Sequence, residues 1–207
     1  MALVKLNNRG VRSATAFGSI TGLGSMVFIK KLTASSSATI SFVDGSSDVV
    51  LDDTYKEYIF TFKDIHPATD GVEFQFNGSD DDSSHSYDVT KTTTLFQAYH
   101  NEADSVAELT YSTSADLAQS TSFQRLTDSL GNDNDQSLGG YMHLYNPSST
   151  TFVKHFMART TRSHNADYTN DMFIAGYFND TDDITAIQFK MSSGNIDAGD
   201  ICLYGIN

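Results

Sequence analysis

The feature that most constrains this chain is the run from Gly139 to Asn207, where strand-length apolar segments alternate with turn-forming residues and no helical period survives. Tyr141 to Tyr145 is a short aromatic run, stopped by Asn146-Pro147-Ser148-Ser149, because proline lacks a ladder donor and Asn and Ser bond to nearby backbone. Phe152 to Thr160 resumes as a strand. Period-2 alternation puts Phe152, Phe156 and Ala158 on one face with Lys154, and Val153, His155, Met157 and Arg159 on the other. Met172 to Phe178 is nearly continuous in apolar residues, the pattern of a strand covered on both faces. After the polar turn Asn179–Asp183, Ile187, Phe189 and Met191 share a face. Gly194-Asn195 and Gly199-Asp200 bracket a connection to a last strand, Ile201 to Ile206.

The first half follows the same grammar. Met26 to Leu32 and Ala38 to Val43 are strands, joined by Ala34–Ser37 and placed as a hairpin, with a turn at Asp44-Gly45. Asp52 to Ile65 is a long strand with Tyr58, Phe60 and Phe62 in alternation. Val72, Phe74 and Phe76 form a half-buried strand, and Leu95 to Tyr99 another. Residues 100–138 are ambiguous. Phe123, Leu126 and Leu130 fit a short helix ending at Gly131, whereas Phe123 to Thr127 equally fits a strand. About ten short strands in 207 residues predict one all-β domain, an antiparallel two-sheet sandwich of jelly-roll type. With no Trp, 14 Phe and 10 Tyr must fill much of its core. The expected division is an extended N-terminal docking arm, 1–25, with a short strand at Ala2 to Leu6, and a sandwich domain, 26–207.

Charge also divides the chain, at Asp44 rather than at the arm's end. The first 43 residues hold Lys5, Arg9, Arg12, Lys30 and Lys31 and no acidic residue, whereas the rest holds eight basic against 26 acidic side chains. A net charge of −13 argues against general nucleic-acid binding. A basic arm on an acidic body points to docking on something acidic, or to packing on its own domain. Neither a long apolar span nor a signal peptide is evident, so no membrane partner is expected. The one cysteine, Cys202, excludes an internal disulfide and is expected to be a buried small hydrophobe.

Chemistry-bearing motifs are absent. None of the six histidines (His66, His85, His100, His143, His155, His164) shows HxxxH or HExxH spacing, although His143 and His155 fall on adjacent predicted strands and could be neighbours. No GxSxG elbow occurs, and Gly22 and Gly24 lack the GK[ST] of a phosphate loop. Asp80-Asp81-Asp82 with His85, the Asp133–Asp135 run, and Asp180, Asp182 and Asp183 offer close carboxylates for a cation. The first two lack the distal bidentate Glu of a calcium loop, and the third has a turn role that already explains it. Catalytic, cofactor-binding and metal-ligating residues are therefore all assigned as none. Tyr87, Tyr99, Tyr111, Tyr141 and Tyr168, in or beside loops, are the remaining clue, fitting sugar stacking, core packing or subunit contact.

Several stretches resemble known sequences: GGYMHLYNPSSTTFVKHF, AGYFNDTDDITAIQFKMSSGNIDAGDI, the terminal LYGI, the opening MALVKLNNRGVRSATAFGS and the middle KEYIFTFKDIHPATDGVEFQFN. Together they are similar to virion structural proteins, tail-fibre-like or uncharacterised, of marine tailed bacteriophages, cyanophages above all. The resemblance spans most of the chain and implies a virion component made in the host cytoplasm, with other capsid or tail proteins as partners. It brings no catalytic or binding residues. The expected protein is non-enzymatic: an exposed capsid decoration or tail-associated subunit that docks through its arm and self-associates as a symmetric oligomer, a trimer among the options. The alternative is a receptor- or glycan-binding module at a tail-fibre tip, with a host surface glycan as partner.

Overall fold

A computed structural model describes residues 25–207, so the proposed arm lies outside the described residues but for Ser25. The described chain is all-β and forms two antiparallel sheets. Its strands are β1 (Met26–Thr33), β2 (Ile40–Val43), β3 (Glu57–Pro67), β4 (Phe74–Ser79), β5 (Lys91–Asn101) and β6 (Ala107–Tyr111). Then follow β7 (Gln124–Arg125), β8 (Leu138–Tyr145), β9 (Lys154–Ser163), β10 (Tyr168–Phe178), β11 (Ala186–Met191) and β12 (Ile196–Ile206). The large sheet has the order β1-β12-β3-β8-β9-β10-β5-β6, and the small sheet β2-β11-β4-β7.

The sheets meet through aromatic rings whose positions follow from alternation. Tyr58, Phe60 and Phe62 of β3 and Phe156 of β9 point inward from the large sheet; Phe42, Phe74, Phe76 and Phe189 point back from the small one. Phe189 is the hub. Its ring lies 5.3 to 6.3 Å from those of Phe42, Phe60, Phe62, Phe74 and Phe76, mostly edge-to-face. Such pairs add quadrupole attraction to the burial of large apolar area.

Several sequence expectations need correction. The segments β1 and β2 are not a hairpin: β1 pairs with β12 and β2 with β11, in different sheets. Strand β10 is not covered on both faces, since Met172, Ile174 and Phe178 are buried while Phe173, Ala175 and Tyr177 are only half-buried. Gly199-Asp200 does not interrupt the last strand. Gly199 sits at a register shift inside β12 with φ of 120°, and a Cβ there would lie 2.6 Å from the Asp64 carbonyl oxygen, so glycine is what lets the ladder continue. No helix forms over residues 117–130; Gln124 and Arg125 pair as an edge of the small sheet, and Ser120 and Leu130 form isolated bridges. Phe152 precedes β9 rather than joining it, and Cys202 is half-buried, on the face opposite Ile201 and Leu203.

Replacing Phe189 by Ala should cost about 3–5 kcal/mol of unfolding free energy in a urea titration. The same change at the exposed loop residue Phe152 should cost less than about 0.5 kcal/mol.

Candidate functional site

The outer face of the large sheet carries an unusual load. In a sandwich this face is normally polar. Here seven of the eight large hydrophobic side chains exposed among the described residues stand on it: Met26, Phe28, Phe96, Leu109, Tyr111, Tyr141 and Met157. The registers place one continuous row across all eight strands, Lys31–Cys202–Thr61–Tyr141–Arg159–Phe173–Phe96–Tyr111. Phe96 and Phe173 stack at 4.8 Å, and the Arg159 guanidinium lies 4.5 Å from the Phe173 centroid. Charges on the face are matched in place. Arg159 donates through Nε and Nη2 to both oxygens of Asp171, Lys31 pairs with Asp200 at 3.1 Å, and His143 Nδ1 lies 2.5 Å from Glu57 Oε1. The Asp171 hydrogen bonds, then its charge, raise the Arg159 pKa further.

The second feature is a cleft on the inner side of the large sheet, where β5, β9 and β10 run past the cover of the small sheet. Along β5 the inward residues change from buried (Lys91, Thr93, Leu95) to half-buried (Gln97, Tyr99). A pocket of about 390 Å³ opens there, lined among others by Gln97, Tyr99, Arg162, Tyr168 and Asn170. A neighbouring pocket of about 440 Å³ shares Arg162, His164 and Tyr168.

Arg162 reaches this place because β9 alternates strictly: Phe156, Ala158, Thr160 and then Arg162 point inward. Its Nη2 donates to Asp128, which also lies near Arg125; Arg125 in turn pairs with Glu73, so an ionic chain ties the edge of the small sheet to β9. Arg162 Nε and Nη1 are buried with no hydrogen-bond partner, and so is Asn170 Oδ1. Each such atom costs about 1–3 kcal/mol unless something meets it. Burial, then the nearby charge of Arg125, pushes Arg162 down to about 10. Burial likewise lowers His164, with Arg162 adding to it.

The predicted tyrosines divide between these features. Tyr99 and Tyr168 come together at the cleft, rings 6.0 Å apart, with the Tyr99 hydroxyl donating to Glu108. Tyr111 and Tyr141 stand on the outer face, and Tyr87 is half-buried in a loop beside His85. His143 and His155 lie on adjacent paired strands and the same face, as the sequence suggested, but they are not directly opposite: Met157 faces His143 in the register, and His155 faces Tyr177. Sequence reasoning missed Arg162 and Asn170, although continuing the Phe156–Ala158 alternation would have turned Arg162 inward.

The acidic loops resolve into local hydrogen bonding. Asp81 accepts from the backbone and hydroxyl of Ser83 and Ser84, led by the Ser84 hydroxyl, which depresses its pKa strongly. The Asp180–Asp183 turn wraps a buried cation of the chain's own: Lys154 Nζ donates to the carbonyls of Asp180 and Asp182. Asp133 and Asp135 line the 440 Å³ pocket. Among the described residues no group of three or more His, Cys, Asp or Glu is placed to hold a metal ion.

No protein-family model, curated protein or solved structure matches the chain.

A second buried cation makes a measurable signature. Lys91 is fully buried, its Nζ donating to Val89 O at 3.1 Å and Ser122 O at 2.6 Å, and burial depresses its pKa to about 7, against a weak opposing pull from Asp88. Above pH 7 the folded state therefore holds fewer protons at this site than the unfolded chain, whose lysine titrates near 10.4, so stability from this group rises with pH. Urea unfolding from pH 7 to about 9.5, below tyrosine ionisation, should show wild type gaining stability relative to Lys91→Met across that window. A parallel pH dependence of the two proteins would contradict the assignment.

Proposed function

We propose that this protein is a non-enzymatic structural subunit of a phage virion, a capsid decoration or tail-associated component that self-associates and docks on other virion proteins. The observation that carries the reading is the outer face of the large sheet. Seven large apolar side chains on one face form a patch that a monomeric soluble domain seldom leaves in water. The face is also nearly balanced in charge, Lys31, Lys63 and Arg159 against Glu57, Asp171, Asp200 and the Asp64 beside Lys63, in a chain of net charge −13. Two copies meeting face to face here would bring together little net charge, unlike two of the acidic surfaces of the body. Eight strands about 4.8 Å apart make a face roughly 34 Å wide, and a patch about 25 Å tall supplies on the order of the ~800 Å² per partner of a stable interface.

The jelly-roll assignment belongs with this proposal and rests on the strand pairings. Four pairs are nested, β1 with β12, β2 with β11, β3 with β8 and β4 with β7, as in one long antiparallel ribbon wound so that successive pairs alternate between sheets. In this reading β5, β6, β9 and β10 are insertions that widen one sheet. Jelly rolls recur in viral capsid and lectin domains, an analogy of fold alone. The basic arm, 1–25, is the docking element of the proposal, supported by its charge against the acidic body.

A second reading, a receptor- or glycan-binding module at a tail tip, is favoured by one observation, the pairing of Tyr99 and Tyr168 at the cleft.

Sedimentation velocity tests the leading reading. Wild type should sediment as an oligomer, and Tyr141→Ser with Met157→Asp, both at exposed positions, should sediment as a monomer with nearly unchanged melting temperature. A wild-type protein that stays monomeric at every concentration would contradict the face as an interface. Deleting residues 1–25 should leave the melting temperature intact and abolish incorporation into particles; a truncated protein that still joins the particle would show the arm is not the docking element.

A further inference from the structure

The orphaned atoms of the cleft specify a ligand chemistry. Arg162 presents only donors, at Nε and Nη1, and its charge is already answered by Asp128. Asn170 presents an acceptor: its Nδ2 donates to Gln97 Oε1 at 2.9 Å, which turns Oδ1 away, without a partner. Both residues are more than nine-tenths buried and both line the same pocket. A carboxylate would satisfy the arginine but repel the orphaned carbonyl oxygen and the nearby Asp128. An ammonium would satisfy the carbonyl and repel the arginine. A hydroxyl accepts from one and donates to the other.

We propose that the cleft binds a neutral pyranose of a glycan, its hydroxyl groups engaging Arg162 and Asn170 and its ring face lying against Tyr168 or Tyr99. The inference rests on the glycan-binding reading and gives that reading a site and a substrate class. The pocket volume of 390 Å³ lies within the roughly 300–1,000 Å³ usual for small-molecule sites. The adjoining 440 Å³ pocket, reached past the shared Arg162, His164 and Tyr168, leaves room for a second ring. The partly exposed tyrosine rings offer the apolar walls a sugar ring face needs. Solvent barely reaches the three orphaned atoms, so a hydroxyl meets them through a small rearrangement of the pocket wall. Reversing the Gln97 and Asn170 amides together would replace the orphaned acceptor with a donor and favour an anion instead, so an anionic sugar is the necessary comparison.

The test is an NMR titration of the full-length isotope-labelled protein with glucose, galactose, mannose and glucuronate. At least one neutral sugar should give saturable shifts at the amides of Tyr99, Arg162 and Asn170. Asn170→Leu should abolish them. Should that variant fail to fold, Tyr168→Ala, at the half-exposed start of β10, should weaken binding about tenfold, while Tyr111→Ala on the outer face should not. Shifts with glucuronate alone would overturn the neutral class. A neutral sugar that binds equally to wild type and Tyr168→Ala, with shifts elsewhere, would overturn the site and leave the glycan reading standing. No saturable shift with any of the four would overturn the proposal. Binding of the intact protein to extracted host-surface polysaccharide tests the glycan reading separately.

Discussion

An eight-stranded sheet faces a four-stranded one, and much of this molecule follows from that mismatch. The small sheet covers the middle of the large one, where Phe189 meets Phe60 and Phe62 across the layers and Phe42, Phe74 and Phe76 within its own sheet. What it does not cover must be dealt with otherwise. Part is closed by the segment between β6 and β7, held by buried polar groups: Lys91 donates to the Ser122 carbonyl, Gln124 of β7 donates to the Ala115 carbonyl at 3.1 Å, and Asn77 donates to the Thr121 carbonyl at 2.9 Å. Buried polar groups of this kind fix one arrangement because any other leaves them unpaired. Where this cover ends, the cleft begins, with Arg162 and Asn170 only partly satisfied.

The strands that widen the sheet thus account for the cleft and for much of the outer face. On the inner side β5, β9 and β10 overhang the small sheet and make the cleft. On the outer side β5, β6, β9 and β10 extend a face that carries stacked Phe96 and Phe173 under Arg159. The two surfaces lie on opposite sides of one sheet, so a subunit packed by its outer face would keep its cleft free. The structural and the glycan-binding readings are compatible in that geometry.

Alternation was legible in most strands with one buried face, though not in β10, whose outer face is itself apolar. Tyr58, Phe60 and Phe62, and Ile187, Phe189 and Met191, are core residues as their spacing predicts. Lys154 also falls on the core side with Phe156, as the pattern placed it. Pairing was less legible, because local pattern sets which face a residue takes and not which strand lies beside it. Hence β1 and β2, adjacent in sequence, part to opposite sheets and find partners at the far end of the chain. The stretch 100–138 resisted reading because it is mostly irregular backbone fixed by side-chain-to-backbone bonds, which leave no period. The cleft was half legible. Tyr99 and Tyr168 were singled out for their loop positions, but Arg162 lies in a Thr- and Ser-rich strand end that reads as solvent-facing.

The most direct measurement is imaging of intact particles at a resolution that orients the domain. The account predicts density for this chain on the particle, with the outer face of the large sheet against a neighbouring subunit and the cleft open to solvent. Particles without that density, or with every copy turning the Tyr141–Arg159–Phe173 row to water, would contradict it.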